Sequence, residues 1–191
     1  MRATFRLHRG RVLFGPFTEI DPAELNALET EIGHPLPSEY RAFIQEANGG
    51  TMAYDVLVPP DKGEIIGFTE LFHIGRNEQG EYGYGTLIGE YRRRNSLWLS
   101  EHVSMERLLP IARDGGNDIL FLDLDAANVV AFVHGLPEWT GRTQQNILAI
   151  VGDTFDAYLD SLFISDETTE LNWEDAQDAG PDDPWRQAVE Y

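Results

Sequence analysis

Residues 36–50, LPSEYRAFIQEANGG, constrain this chain more tightly than any other stretch of it. They read as a helical unit with its own start and its own stop. Pro37 suits the first turn, where a missing N–H costs nothing, and Ser38 and Glu39 place an oxygen and a negative charge there. Tyr40, Phe43, Ile44 and Ala47 follow at the i, i+3, i+4, i+7 spacing that lines one helix face with apolar side chains. Asn48-Gly49-Gly50 then offers residues able to take positive φ and end the helix. Nothing in the unit asks for catalysis. It is architecture.

A second helix precedes it. Asp21 is placed to cap, Pro22 sits at the first helical position, and Glu24 completes a capping-box spacing. Ile20 and Leu25 stand at the two positions of a hydrophobic staple, Leu25, Leu28 and Ile32 form the buried stripe, and Gly33 ends it. Upstream, residues 1–17 alternate around His8-Arg9-Gly10-Arg11, with Phe5 and Leu7 before and Val12 and Phe14 after. That pattern predicts an N-terminal hairpin extension.

After Gly50 the character becomes β. Short apolar runs fill 51–58 and 65–74, separated by the turn-rich PPDKG at 59–63. Residues 77–85, NEQGEYGYG, make a glycine-rich polar loop, and 86–96 suit a helix carrying Leu87, Ile88 and Tyr91, with Arg92-Arg93-Arg94 near its C-terminus. Strands are expected over 108–112, 119–124, 129–133 and 148–151, with turns at 114–118 and 125–128. A closing helix, capped by Asp153, is expected to run through Phe163. The remainder, 166–191, reads as an acidic extension with scattered Trp173 and Trp185, loosely docked at most and dispensable for folding. Short, hairpin-like connections favour antiparallel pairing. The expected fold is therefore α+β: two N-terminal helices and a C-terminal helix packed on a twisted, mostly antiparallel sheet, with the main domain over 18–165.

Three segments in this order resemble one family. The Leu36-Pro37-x-x-Tyr40-x-x-Phe43 helix closing on Asn48-Gly49-Gly50 resembles the hallmark of the SUKH superfamily, the group that includes the Smi/Knr-type cell-wall regulators. Residues 109–118, with Asp114 and Gly115, are similar to its strand-to-turn step, and 149–162, with Phe155 and Leu159, to its closing helix. The likeness covers roughly residues 20 to 163. It implies an α+β domain and, in bacteria, most often an immunity protein that neutralises a toxin by binding it. The eukaryotic branch implies the alternative, a scaffold or regulator in signalling or cell-wall assembly.

Composition narrows the classes further. A chain of 191 residues is most simply one domain with extensions. With no cysteine, disulfide frameworks, thiolate zinc sites and cysteine nucleophiles are all excluded. The arginine-rich N-terminus lacks the apolar run of a secretory signal, and no stretch approaches the roughly 20 apolar residues of a membrane span. A soluble cytoplasmic protein is expected. Its formal net charge is −19, and residues 152–191 carry twelve acidic side chains against the single base Arg186. Such a field repels nucleic acid and anionic membranes and draws in a basic protein partner. Ordinary solubility accounts for the same acid excess.

The candidate chemistry is thin. Asp114, Asn117, Asp118, Asp123 and Asp125 could converge on a divalent cation, which would admit a metal-dependent hydrolase, but their spacing fails the calcium-loop pattern. Asx hydrogen bonding within turns is the plainer reading. Asp123 and Asp125 would share a strand face, and His134 could pair with Asp114 as base and orienter. The other histidines are scattered, no nucleophile elbow is present, and no cofactor is expected. Gly80, Gly83 and Gly85 lack the lysine and strand–loop–helix context of a phosphate cradle. An adaptable binding loop bearing Glu78, Glu81, Tyr82 and Tyr84 suits them better. Together with Asp114, Asp118 and Trp139, these are the expected partner contacts; no catalytic residue is expected.

Overall fold

The alternation around Arg9-Gly10 produces the hairpin it predicts. β1 (Phe5–His8) and β2 (Arg11–Phe14) pair antiparallel, with Phe5 opposite Phe14 and Leu7 opposite Val12. Both turn residues have positive φ, 50° and 77°, as a two-residue hairpin loop requires. The computed structural model describes residues 5–59, 64–94, 106–135 and 146–171. Trp139, Trp173, Trp185, the PPDKG turn beyond Pro59 and the end of the arginine helix lie outside them.

α1 (Pro22–Ile32) starts on Asp21, whose side chain accepts from the Ala23 N–H at 2.8 Å, and stops at Gly33 with φ 69°. Leu28 and Ile32 are buried, while Leu25 packs at the core margin. The capping box does not close. Glu24 turns outward instead, to Arg76 at 3.1 Å and to the Tyr82 hydroxyl, because charged and phenolic donors compete well against one exposed N–H.

α2 (Ser38–Glu46) buries Tyr40, Phe43 and Ile44, with Ala47 just past its end. Gly49 and Gly50 follow with φ 82° and 85°. A Cβ at Gly50 would lie 2.3 Å from the Phe14 carbonyl oxygen, so only glycine lets the hairpin pair with Thr51 through two 2.8 Å hydrogen bonds. Asn48 does something periodicity does not reveal. Its buried amide donates to the Ile74 carbonyl at 2.8 Å and accepts from the Ile74 N–H at 2.7 Å, imitating a strand partner.

The next residues form less strand than their apolar runs suggest. β3 (Val56–Val58) and β4 (Glu64–Ile66) make a short hairpin, and β5 (Glu70–Leu71) has two residues. Thr51 bridges Phe14 on one side and Glu70 on the other, so this stretch joins elements one residue at a time. α3 (Leu87–Arg93) starts on Thr86, whose hydroxyl accepts from the Gly89 N–H.

β6 (Leu108–Arg113), β7 (Ile119–Asp123), β8 (Val129–Val133) and β9 (Ile147–Gly152) extend β5 into a five-stranded antiparallel sheet of order β5-β6-β7-β8-β9. Both faces of its centre are buried, which explains the near-continuous runs ILFL and VVAFV. Leu120, Leu122, Val129, Ala131 and Val133 face the main core, and Ile119, Phe121, Val130 and Phe132 form a second cluster on the reverse.

α4 (Phe155–Ser161) packs on β9 and α2. Thr154, not Asp153, is its cap, accepting from the Ala157 N–H at 3.1 Å, and Glu39 of α2 accepts from the Asp156 N–H at 2.9 Å. Arg11 closes the other end on the Leu159 and Asp160 carbonyls, at 2.8 and 3.1 Å. Phe155 meets Tyr40 and Phe43 with ring centroids 5.0 Å apart in both pairs. The helix stops at Ser161, and Phe163 is already extended, bridged to Asp55. The buried Asp55 carboxylate then accepts from the Ser165 N–H and the Thr168 hydroxyl, holding a short α5 (Asp166–Leu171). No helix among the described residues is long and apolar enough to cross a membrane.

Candidate functional site

The acidic turn after β6 is held by its own backbone. Asp114 accepts from the Gly116 and Asp118 N–H groups at 2.7 and 3.1 Å, and Gly115 takes φ 89°. Asp118 turns toward the end of β8. It accepts from the His134 N–H at 2.8 Å and lies 3.2 Å from His134 Nδ1. Histidine therefore pairs with Asp118 rather than with Asp114, because Asp118 faces the neighbouring strand while Asp114 faces its own turn. The Phe132 ring meets His134 edge-on at 4.5 Å. Burial raises the Asp118 pKa above the usual aspartate value, and the Asp114 charge adds to the rise, against the opposing pull of His134.

The following turn is built the same way. Asp123, the last residue of β7, accepts from the Asp125 and Ala126 N–H groups, both at 2.9 Å. Asp125 lies in the turn and pairs with Arg107, so the two carboxylates do not share a strand face. Among the described residues no three His, Asp or Glu side chains gather as a possible metal site.

The glycine-rich loop is tied together by hydrogen bonds of its own and to α3. Asn77 gathers the Gln79 and Glu81 N–H groups on its side-chain oxygen at 3.1 and 3.0 Å. The Gly83 carbonyl lies so close to α3 that a Cβ on Gly89 would come within 2.0 Å of it. Buried Glu90 accepts from the Gly85 N–H at 2.9 Å. Gly80 and Gly85 take φ 78° with open space around them, and Gly83 leaves room for the Asn77 amide, so the loop glycines serve turn conformation, and close packing falls to Gly89 of α3.

The two tyrosines diverge. Tyr82 turns to α1 and donates to Glu24, and its hydrogen bond to that carboxylate holds the hydroxyl pKa up. The Arg76 guanidinium covers its ring at 4.2 Å. Tyr84 remains 52% exposed, with Arg113 over its ring at 3.8 Å and Arg93 at 5.2 Å. Arg113 also donates to Glu70 across β5–β6 at 2.7 Å. Arg113 immediately precedes Asp114, so Tyr84 packs against the residue that leads into the acidic turn. Glu78 and Glu81 are exposed in the loop.

The structure brings Asp114, Asp118 and His134 together, sets Tyr84 against Arg113 at the entry to their turn, and sends Tyr82 to α1 instead. Arg113 is the connecting residue that sequence reasoning missed; an arginine closing an apolar strand beside an acidic turn is its only signal. The family-hallmark side chains Leu36, Tyr40, Phe43, Asn48, Phe155 and Leu159 are all buried.

Fold and surface together define a class: an α+β domain whose loops carry exposed aromatic and acidic groups at the end of an antiparallel sheet. The chain belongs to the SMI1 / KNR4 family (SUKH-1), whose model matches residues 19–161. Neither a curated protein nor a solved structure matches the chain. The match begins just before α1 and ends with α4, so the hairpin and α5 lie outside it.

Proposed function

We propose that this chain is a non-catalytic binding protein, and specifically an immunity protein that neutralises a basic bacterial toxin domain by stoichiometric binding. The observation that carries the reading is the fate of the hallmark residues. Phe43, Asn48, Gly50 and Phe155 are committed to packing and to backbone pairing inside the domain. Recognition is left to surface groups held on hydrogen-bonded turns, and Tyr84, packed on Arg113 at the entry to the 114–118 turn, is the aromatic anchor such a surface uses. The net charge of −19 supports a basic target.

The test expresses a toxin domain encoded beside this gene, with and without the protein. Restored growth and a one-to-one complex are expected, with an association rate that falls steeply as salt rises from low to physiological concentration. Failure to restore growth, with no basic protein co-purifying, would favour the scaffold or regulator reading instead.

A further inference from the structure

We propose that the outward face of the β3–β4 hairpin and β9, continued by α5, is a docking surface for a basic protein segment that presents apolar side chains. Strand alternation builds its centre. Val56 and Val58 point into the main core, so Leu57 and its cross-strand partner Ile65 point out, 54% and 53% exposed. β3 runs beside β9, whose Ile147, Ala149 and Val151 pack inward, leaving Leu148 and Ile150 outward. Phe163, paired with Asp55, shares the face that Leu57 occupies. These five side chains account for most of the eight large apolar residues exposed among the described residues. Singly exposed apolar residues need no explanation, but a contiguous group marks an interaction site.

Charge says what would cover it. No basic side chain belongs to β3, β4, β9 or α5. Glu64 stands at one edge, and Asp166, Glu167 and Glu170 line α5 at the other, with no ion pair of theirs among the described residues. An apolar centre with a polar rim is the ordinary anatomy of a recognition surface. Among the described residues of these elements the rim has a single sign. A second copy of the chain would set acid against acid, whereas a basic amphipathic segment would bury the centre and neutralise the rim.

The proposal rests on the binding-module reading for the kind of partner but places contact away from the Tyr84 surface. Its test needs no toxin. Isotope-labelled full-length protein is titrated with a synthetic leucine–lysine amphipathic peptide, and with a leucine–glutamate peptide of the same pattern. Amide shifts with the lysine peptide should concentrate in 56–58, 64–66, 147–152 and 163–171, and the glutamate peptide should not bind. Leu57→Ser with Ile150→Ser, or Glu167→Lys with Glu170→Lys, should each weaken binding by about tenfold or more. All four positions are solvent-facing, so the variants should keep the wild-type melting transition. Shifts centred on 77–85 and 114–118, no binding, or self-association abolished by the serine variants would each overturn the proposal. Growth rescue by a protein carrying the serine substitutions would leave the immunity reading intact and sink this surface alone.

Discussion

Two surfaces of this molecule carry charge in opposite ways. Around Tyr82 and Tyr84, Arg76, Arg92, Arg93 and Arg113 each meet a carboxylate, Glu24, Glu31, Glu90 and Glu70 respectively. Among the described residues of β3, β4, β9 and α5 there is no arginine, and their acidic groups share the outward face with exposed apolar residues. The net charge of −19 averages the two and describes neither. On the first surface charge is absorbed locally, in ion pairs that each keep at least one partner open to solvent. On the second it is presented to whatever approaches. An acidic composition thus predicts attraction without saying where it acts.

The largest effect should come from beneath both surfaces. Phe43→Ala should cost about 3–5 kcal/mol, the range for a large aromatic deleted from a packed core, read by denaturant unfolding. An unchanged midpoint would mean that α2 does not anchor the core beneath the two surfaces.

Asp55→Ala should act on one side only. It leaves the Ser165 N–H and the Thr168 hydroxyl without their acceptor, at about 1–3 kcal/mol. Hydrogen exchange should then lose protection over 163–171 and keep it over 77–94. A chain ending at residue 165 should unfold at a lower denaturant midpoint, whereas one ending at residue 171 should retain the wild-type transition. Equal loss of protection at both sites would show that the two surfaces open as one unit.

A smaller effect separates them by pH. The folded Asp118 carboxyl titrates above the ordinary value of 3.8, so across that window the folded chain holds more protons than the unfolded one. This group's contribution to stability is therefore greatest at pH below 3.8 and declines as pH rises through the raised folded value. Asp118→Asn keeps an acceptor for the His134 N–H and should flatten that decline in unfolding curves taken between pH 4 and 7. An unaltered slope would assign the pH dependence to other carboxylates.

The smallest stability effect belongs to Tyr84→Ala, within about 0.5 kcal/mol, as for an exposed side chain. Set against Leu57→Ser in binding to the toxin domain, it decides which surface the partner uses. Equal weakening would merge the two into one interface.

Much of this fold was legible along the chain. Asp21, Pro22 and Gly33 delimit α1, the 36–50 unit is the helix its spacing describes, and the long strands fall where apolar runs end at Asp and Gly. The misses share a cause. Glu24 leaves its capping box for Arg76, 52 residues away, and His134 chooses Asp118 over Asp114. α5 exists because Asp55, more than a hundred residues earlier, receives its first turn. The candidate loop was legible in composition, but only the approach of the Gly83 carbonyl to α3 shows why Gly89 must be small.

Periodicity, caps and turns are written locally along this chain, because they depend on residues within about four positions of one another. Tertiary structure alone decided the pairing of polar side chains and the exposure of each apolar one. A carboxylate takes the strongest donor that folding brings within reach, whatever their separation in the chain. Leu57 is exposed and Val58 buried because the pleat of β3, seated beside β9, turns one outward and the other into the core.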